Sequence, residues 1–255
     1  MSTNMPAPIS RDKEVKLGFR FLQFFVRHDR SSMKVGTDGV LLGSWCPICS
    51  EHMENSGFRI LDVGTGSGLI ALMLAQRCPE AQIDAIDIDE ASCLQAQENV
   101  DASPWAERLH VAQSSLQDWQ DREYDLVVSN PPYFVDSLKA PDAARCAARH
   151  NDTLPFRSLI AESTRRLKPD GTLAVIVPAE AEDELQVLAE AEGLQCAQKC
   201  YVHPKPGRPA KRVMLAWKHS NTSARLDGLT EHLTLEDDRG GRSEAYQQLT
   251  KDFYL

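Results

Sequence analysis

From residue 58 the chain alternates between short runs rich in apolar and β-branched residues and longer segments whose apolar positions recur at helical spacing. "FRILDV" (58–63), "QIDAIDI" (82–88), "RLHVAQ" (108–113), "YDLVVSN" (124–130) and "TLAVIVP" (172–178) read as strands. Between them, 67–78 and 90–102 read as helices, the second entered through Asp89 as N-cap. A further helix spans 155–171, begun by Pro155 and ended near Pro169-Asp170-Gly171, and the last of the series, 180–193, stops at Gly193. Such alternation predicts an α/β fold, an open and mostly parallel sheet with helices on both faces. The series then changes character. Residues 194–204 and 211–219 are two strands separated only by "KPGRPA", which predicts an antiparallel hairpin. No internal repeat or low-complexity tract interrupts the pattern.

The first strand-to-helix turn is "LDVGTGSG", with Gly64, Gly66 and Gly68 where open α/β sheets bind ligands. Glycines there let the backbone bend sharply and approach a ligand without a Cβ clash. A dinucleotide fingerprint would be G-x-G-x-x-G; here the third glycine falls one place early and Asp62 precedes the loop. A carboxylate at this turn repels a pyrophosphate but welcomes the cationic head of S-adenosylmethionine. Asp87 closes the second strand, 21 residues past Gly66, the usual distance for an acid that accepts ribose hydroxyls.

The fourth strand ends on "SNPPY" (129–133) instead of turning into a helix. An exocyclic amine conjugated to a ring is a poor nucleophile until its nitrogen pyramidalises. Two acceptors held where the N–H bonds point in the transition state achieve this electrostatically, without a strong base. The Asn130 side-chain oxygen supplies one and the Pro131 carbonyl the other, while Pro131 and Pro132 stiffen the backbone that carries them. Tyr133, with Phe134 beside it, offers a flat surface for a base taken out of its stack.

"DVGTGSG" followed by "SNPPY" resembles the class I S-adenosylmethionine-dependent methyltransferases that modify planar amide or amine nitrogens. The stretch at 21–45, "FLQFFVRHDRSSMKVGTDGVLLGSW", and the ending "SEAYQQLTKDFYL" narrow the likeness. It extends from about residue 17 over nearly the whole chain, to the bacterial enzymes that form N6-methyladenosine at position 37, next to the anticodon, of tRNA1(Val). The resemblance implies a Rossmann-like, mostly parallel seven-stranded sheet with an antiparallel last strand. It implies a single domain over 1–255, with an N-terminal extension and cap (1–50), a core sheet (58–219) and a C-terminal strand and helix (220–255). It also implies Asn130, Pro131, Pro132 and Tyr133 as the catalytic group, and Asp62, Gly64, Gly66, Gly68 and Asp87 around S-adenosylmethionine. After the third strand many relatives place an acid for the donor's adenine amine. This chain reads "AQSSLQD", so Ser115 takes the acid's place and Asp118 follows three residues on. Lys34, Thr37 and Asp38 either close over the donor, touch the RNA, or serve turn and core chemistry. Arg145, Arg149 and His150, beyond the proline motif, are candidates for phosphates near the target base.

Four rival readings use the same core. A DNA adenine methyltransferase needs a target-recognition region, and no insertion here is long enough. A protein-glutamine methyltransferase carries a helical recognition domain, and only some 50 residues precede the first core strand here. A ribosomal RNA guanine-N2 methyltransferase usually ends the motif in Phe, whereas here it is Tyr133. An RNA-binding adaptor that has lost catalysis would have no need of intact glycine and proline motifs.

Composition fits a soluble globular protein of 255 residues, 42% apolar and 25% charged. The opening residues contain no apolar core of a secretory signal. Seven cysteines suit a reducing compartment better than a disulfide framework, so a cytoplasmic, membrane-free monomer is expected. Cys46 and Cys49 have metal or redox spacing, and the only candidate second pair, Cys196 and Cys200, is at a looser spacing; small buried thiols are the preferred reading, and no metal is expected. The net charge of −9 is unevenly spread. Residues 1–34 and 139–168 each carry seven basic side chains against three acidic ones, and 199–218 carry six against none. These runs either build one basic face for RNA or merely solvate the fold. Lys205, Arg208, Lys211 and Arg212 at the hairpin tip are the candidate phosphate clamp, with Glu180 the acid one of them would otherwise meet.

Overall fold

The computed structural model describes residues 17–31, 34–48, 57–119, 122–132, 155–222 and 228–254. The five apolar runs lie side by side as β3 (Arg59–Val63), β4 (Gln82–Asp87), β5 (Leu109–Gln113), β6 (Tyr124–Ser129) and β7 (Leu167–Pro178). The hairpin strands are β8 (Leu194–His203) and β9 (Arg212–His219), and β10 (Leu229–Thr234) follows. Their order in the sheet is β10-β8-β9-β7-β6-β3-β4-β5. Only β9 is reversed: it pairs antiparallel with both β7 and β8, while β10 runs parallel to β8. Among the described residues the sheet therefore has eight strands and not seven, and the antiparallel one is not the last. β8 would otherwise present a row of unpaired N–H and C=O groups, and β10 covers that edge.

From β3 the chain winds outward through β4 to β5, then crosses back to lay β6 on the other side of β3. Neighbouring strands whose connections leave in opposite directions open a crevice beyond their carboxyl ends. The glycine loop follows β3 and Asn130 follows β6, so both motifs meet at that crevice.

Helix α1 (Thr37–Trp45) packs on α2 (Leu69–Arg77), which is buried through its first seven residues. Their approach is close because α1 carries Gly39 and Gly43. A Cβ at either would stand 2.9 Å from Leu69 Cδ2 or 2.8 Å from Met73 Sδ. Arg77 of α2 donates to the carbonyls of Gly43 and Cys46, groups left unpaired where α1 ends. The small hairpin of β1 (Gly18–Arg20) and β2 (Phe25–Arg27) is tied to α3 (Glu90–Asp101) by one side chain. Asn99 accepts from the Arg27 N–H and donates to the carbonyls of Arg27 and Ser67, each at 2.8 Å. Asp89 caps α3, accepting from the Ser92 N–H at 2.9 Å.

The helix expected over 155–171 is shorter. α4 spans Phe156–Arg165, and Leu167 already pairs with Tyr124 as the start of β7. The Tyr124 N–H donates to the Arg166 carbonyl at 2.8 Å, so strand pairing captures the chain before Pro169-Asp170-Gly171 can end a helix. Gly171 then lies against β6, where a Cβ would come within 2.8 Å of the Tyr124 carbonyl. The last helix of the series, α5, occupies Glu182–Ala191 after a short 3-10 turn, and α6 (Glu244–Thr250) follows β10.

Away from the crevice, Asp84 on β4 anchors a buried polar cluster. It accepts from the Tyr124 hydroxyl at 2.8 Å and from Arg59 at 3.2 Å, and the Trp119 indole N–H donates to the same hydroxyl at 2.8 Å. Burial, with the Asp84 hydrogen bond and charge, pushes the Tyr124 phenol up to about 12, so it stays a donor at every working pH. Tyr124→Phe leaves the Trp119 N–H without its acceptor and takes from Asp84 one donor, Arg59 remaining, at a cost of about 1–3 kcal/mol. A lower denaturant midpoint with an unchanged m-value is expected, and an unshifted midpoint would show the cluster to be dispensable.

Candidate active site

The crevice is a cavity of about 870 Å³, a volume usual for small-molecule sites. Its walls come from the segment before and into α1 (Lys34, Thr37, Asp38), the glycine loop, the end of β4 (Asp87, Asp89), the turn after β5 (Ser114 to Gln117) and the end of β6 (Ser129 to Pro132). Thus Lys34, Thr37 and Asp38, left open by sequence, all belong to the cavity wall. Asp38 also holds Arg212 at 2.8 Å.

Gly64 and Gly66 line the cavity with φ of 70° and 57°, in the left-handed region that favours glycine. A Cβ at Gly64 would meet nothing within 4 Å, so that backbone is bare toward the open space. Gly68 differs: it precedes α2, and a Cβ there would lie 3.4 Å from Ala96 of α3, so it serves helix packing and does not line the cavity.

Asp62 is wholly buried and does not line the cavity either. One oxygen accepts from Thr65 Oγ1 at 2.6 Å and from the Ala71 N–H at 3.2 Å, bracing loop and helix from below. The other, Oδ1, is buried without a hydrogen-bond partner among the described residues. Burial pushes the carboxyl up to about 7, the two hydrogen bonds oppose the shift, and Asp87 nearby adds to it. Asp87 accepts from the Gly66 N–H at 2.9 Å and from the Asp89 N–H at 3.0 Å. It too is raised by desolvation against those bonds.

Ser115 lines the cavity, but its hydroxyl donates to Asp118 Oδ2 at 2.7 Å and accepts from the Asp118 N–H at 3.1 Å. Asp118 is exposed and outside the lining, so Ser115 keeps one lone pair as an acceptor, beside the Ser114 hydroxyl and the Gln117 carboxamide of the same turn. At the end of β6, the Ser129 hydroxyl donates to the Val63 carbonyl at 2.9 Å and ties the two motif-bearing strands together. Asn130 follows, lining the cavity, with Oδ1 buried and without a hydrogen-bond partner among the described residues. Pro131 is buried, Pro132 exposed, and both line the cavity. Tyr133 and Phe134, with Arg145, Arg149 and His150, lie outside the described residues, as does Cys49. Among the described residues no group of three or more His, Cys, Asp or Glu is gathered to hold a metal. No described helix is long and apolar enough to cross a membrane.

Among the described residues the ionisable lining is Asp38, Asp87 and Asp89 against Lys34. An acidic floor, bare glycine backbone and a carboxylate beside the loop suit a cationic nucleoside and oppose a polyphosphate. These residues fit S-adenosylmethionine.

A model of the methyltransferase small domain matches residues 47–197, more than half of the chain. The chain belongs to this methyltransferase family. Its relatives include three proteins named tRNA1(Val) (adenine(37)-N6)-methyltransferase. The one from Parabacteroides distasonis is 48% identical over 93% of this chain and 97% of the relative. Those from Phocaeicola vulgatus and Aeromonas hydrophila are 46% and 43% identical over the same shares. Among solved structures, a predicted O-methyltransferase from Agrobacterium tumefaciens is similar with a TM-score of 0.65. It covers 85% of this chain and 96% of that one at 18% identity, a likeness of fold alone. The class I methyltransferase fold and its sulfonium donor are thereby established for this chain. Sequence reasoning missed that Arg212 would reach Asp38 and not Glu180; an arginine at a strand start carries no local sign of which face it takes.

Asp62 has a consequence for stability. The unfolded carboxyl titrates near 4 and the folded one near 7. Between those values the folded state holds a proton the unfolded state has lost, so Asp62 makes stability fall as pH rises from about 4 to 7, then level off. Asp62→Asn removes this contribution. The stability difference between wild type and variant should shift against wild type by up to about 4 kcal/mol across that window. A difference independent of pH in urea titrations would refute the buried titration.

Proposed function

We propose that this chain transfers a methyl group from S-adenosyl-L-methionine to N6 of adenosine 37, in the anticodon region of tRNA1(Val). The observation that carries the reading is the Asn130 carboxamide oxygen, buried at the cavity without a partner among the described residues. A buried acceptor left unmatched costs about 1–3 kcal/mol, and an amine N–H removes that cost.

The donor, when bound, supplies an electrophilic methyl group on a cationic sulfur. Around it, Asp87 accepts the ribose hydroxyls with lone pairs beyond those given to the Gly66 and Asp89 N–H groups. Gly64 and Gly66 allow close backbone approach, Ser115 accepts from the adenine amine, and the negative charge of Asp87, with Asp62 beneath, favours the positive head. On the acceptor side, Asn130 Oδ1 and the Pro131 carbonyl receive the two N–H bonds of the target amine as its nitrogen pyramidalises. They are fixed before reaction, Pro131 and Pro132 limiting the backbone and Ser129 anchoring it to β3. Tyr133 provides the ring on which the extruded adenine rests. The nitrogen sheds its proton once it carries a full positive charge, so no strong base is required of the chain.

The acting unit in this proposal is the monomer. The free thiols of Cys46, Cys78, Cys93, Cys196 and Cys200 support a reducing, cytoplasmic setting.

Incubation with labelled donor and total tRNA, followed by nucleoside mass spectrometry, should place the label in N6-methyladenosine at position 37 of tRNA1(Val). Label in another nucleoside would overturn the reading. Asn130→Ala should lower kcat by roughly 10²–10³-fold, the loss seen when one preorganised transition-state partner is deleted, while donor affinity by calorimetry holds. Asp87→Ala should act in the opposite way, weakening donor affinity first; an unchanged affinity would transfer the ribose contact to Asp89.

A further inference from the structure

The β8–β9 loop stands at the same end of the sheet as the cavity. The Lys211 N–H donates to the Val202 carbonyl at 2.9 Å, and its carbonyl accepts from Ala179, just beyond the end of β7. Arg212 reaches Asp38 of the cavity wall at 2.8 Å. The four basic residues of the loop are therefore not equivalent. Lys205 is paired with Glu236 at 3.0 Å, and Arg212 with Asp38. Arg208 and Lys211 are exposed, and among the described residues neither has a carboxylate within ion-pair distance.

The loop is ordered in advance. The Arg208 N–H donates to the Lys205 carbonyl at 3.1 Å, and the Arg208 carbonyl meets His203 Nδ1 at 2.8 Å. A carbonyl only accepts, so Nδ1 carries the proton. In the neutral ring His203 Nε2 then accepts from His232 Nδ1 at 2.9 Å, and the two rings stack with centroids 5.2 Å apart. Pro204, Pro206 and Pro209 restrict the backbone further. Cations on such a loop reach an anion without first losing loop entropy.

We propose that Arg208 and Lys211 dock backbone phosphates of the tRNA beside the base held at Asn130. This rests on the tRNA reading above. The chain as a whole repels a polyanion with a net charge of −9, so approach depends on local basic groups that are not already neutralised. The acidic donor end and the basic loop share one end of the sheet, which sorts a cationic donor and an anionic RNA to adjacent places. Arg212 is already neutralised by Asp38 and is not one of the docking cations.

The test measures tRNA binding across a salt series for wild type, the double variant Arg208→Gln/Lys211→Gln, and Arg212→Gln. Each neutralised phosphate contributes about 0.7–0.9 to the log–log salt slope, so the double variant should flatten it by roughly 1.4–1.8 units and weaken affinity. Its donor affinity, Tm and single-turnover rate at saturating tRNA should match wild type. Arg212→Gln should lower Tm and keep the wild-type slope. A double variant with the wild-type slope would overturn the docking proposal alone, as would an Arg212→Gln slope reduced to that of the double variant. Wild-type protein that binds no tRNA at any salt would overturn the tRNA reading, and the docking with it.

Discussion

A carboxylate withdrawn from water beneath the glycine loop organises the open end of this molecule. Asp62 joins Thr65 of the loop to the Ala71 N–H in the first turn of α2. It thereby satisfies one of the amides a helix start leaves unpaired. From there the dependence runs outward through packing. α2 carries α1 through the contacts that Gly39 and Gly43 permit, and α1 brings Thr37 and Asp38 to the cavity wall. Asp38 in turn holds Arg212 and the base of the hairpin loop. The burial of one acid is thus connected, contact by contact, to the position of a loop on another strand pair.

The two ends of the cavity are built from opposite physical materials. Around the glycine loop the chain concentrates acids, two of them desolvated and raised in pKa. At the end of β6 there is no ionisable group in the described wall, only an amide oxygen and proline-bound backbone. Activation of an amine there, as proposed above, calls for fixed acceptors of modest strength and not for a base. Ser129 is the joint between the ends, because its hydroxyl bonds β6 to the Val63 carbonyl immediately before Gly64. A displacement of either motif is felt by the other within one hydrogen bond.

Several features were legible before any coordinates. The strand–helix alternation, the final hairpin, the Asp89 cap and the meeting of the 64–68 and 129–132 motifs follow from local rules: apolar period, turn residues and the connection of parallel strands. The helix expected through Gly171 failed because a proline–aspartate–glycine run is punctuation only when nothing else claims the backbone. Here β6 claimed it, and Arg166 and Leu167 pair with Tyr124 instead. The C-terminal strand implied within 220–255 is β10, but its place as a further member of the sheet was not legible, since "LTEHLT" has little apolar content and is paired by the otherwise exposed edge of β8.

The sequence by itself determined the chemistry of the site: which residues are acids, which backbone is bare, where an amide oxygen ends a strand. These are properties of residue type and spacing, and they survive any small change in packing. Only the tertiary structure decided how each group is used. It buried Asp62 as a brace instead of a cavity wall, turned Gly68 toward Ala96, engaged the Ser115 hydroxyl with Asp118, and divided the four hairpin cations into two paired and two exposed. Those outcomes depend on which face a strand presents and which partner lies across a gap of about 3 Å, and residues 65 to more than 170 positions apart in sequence come together only when the sheet has formed.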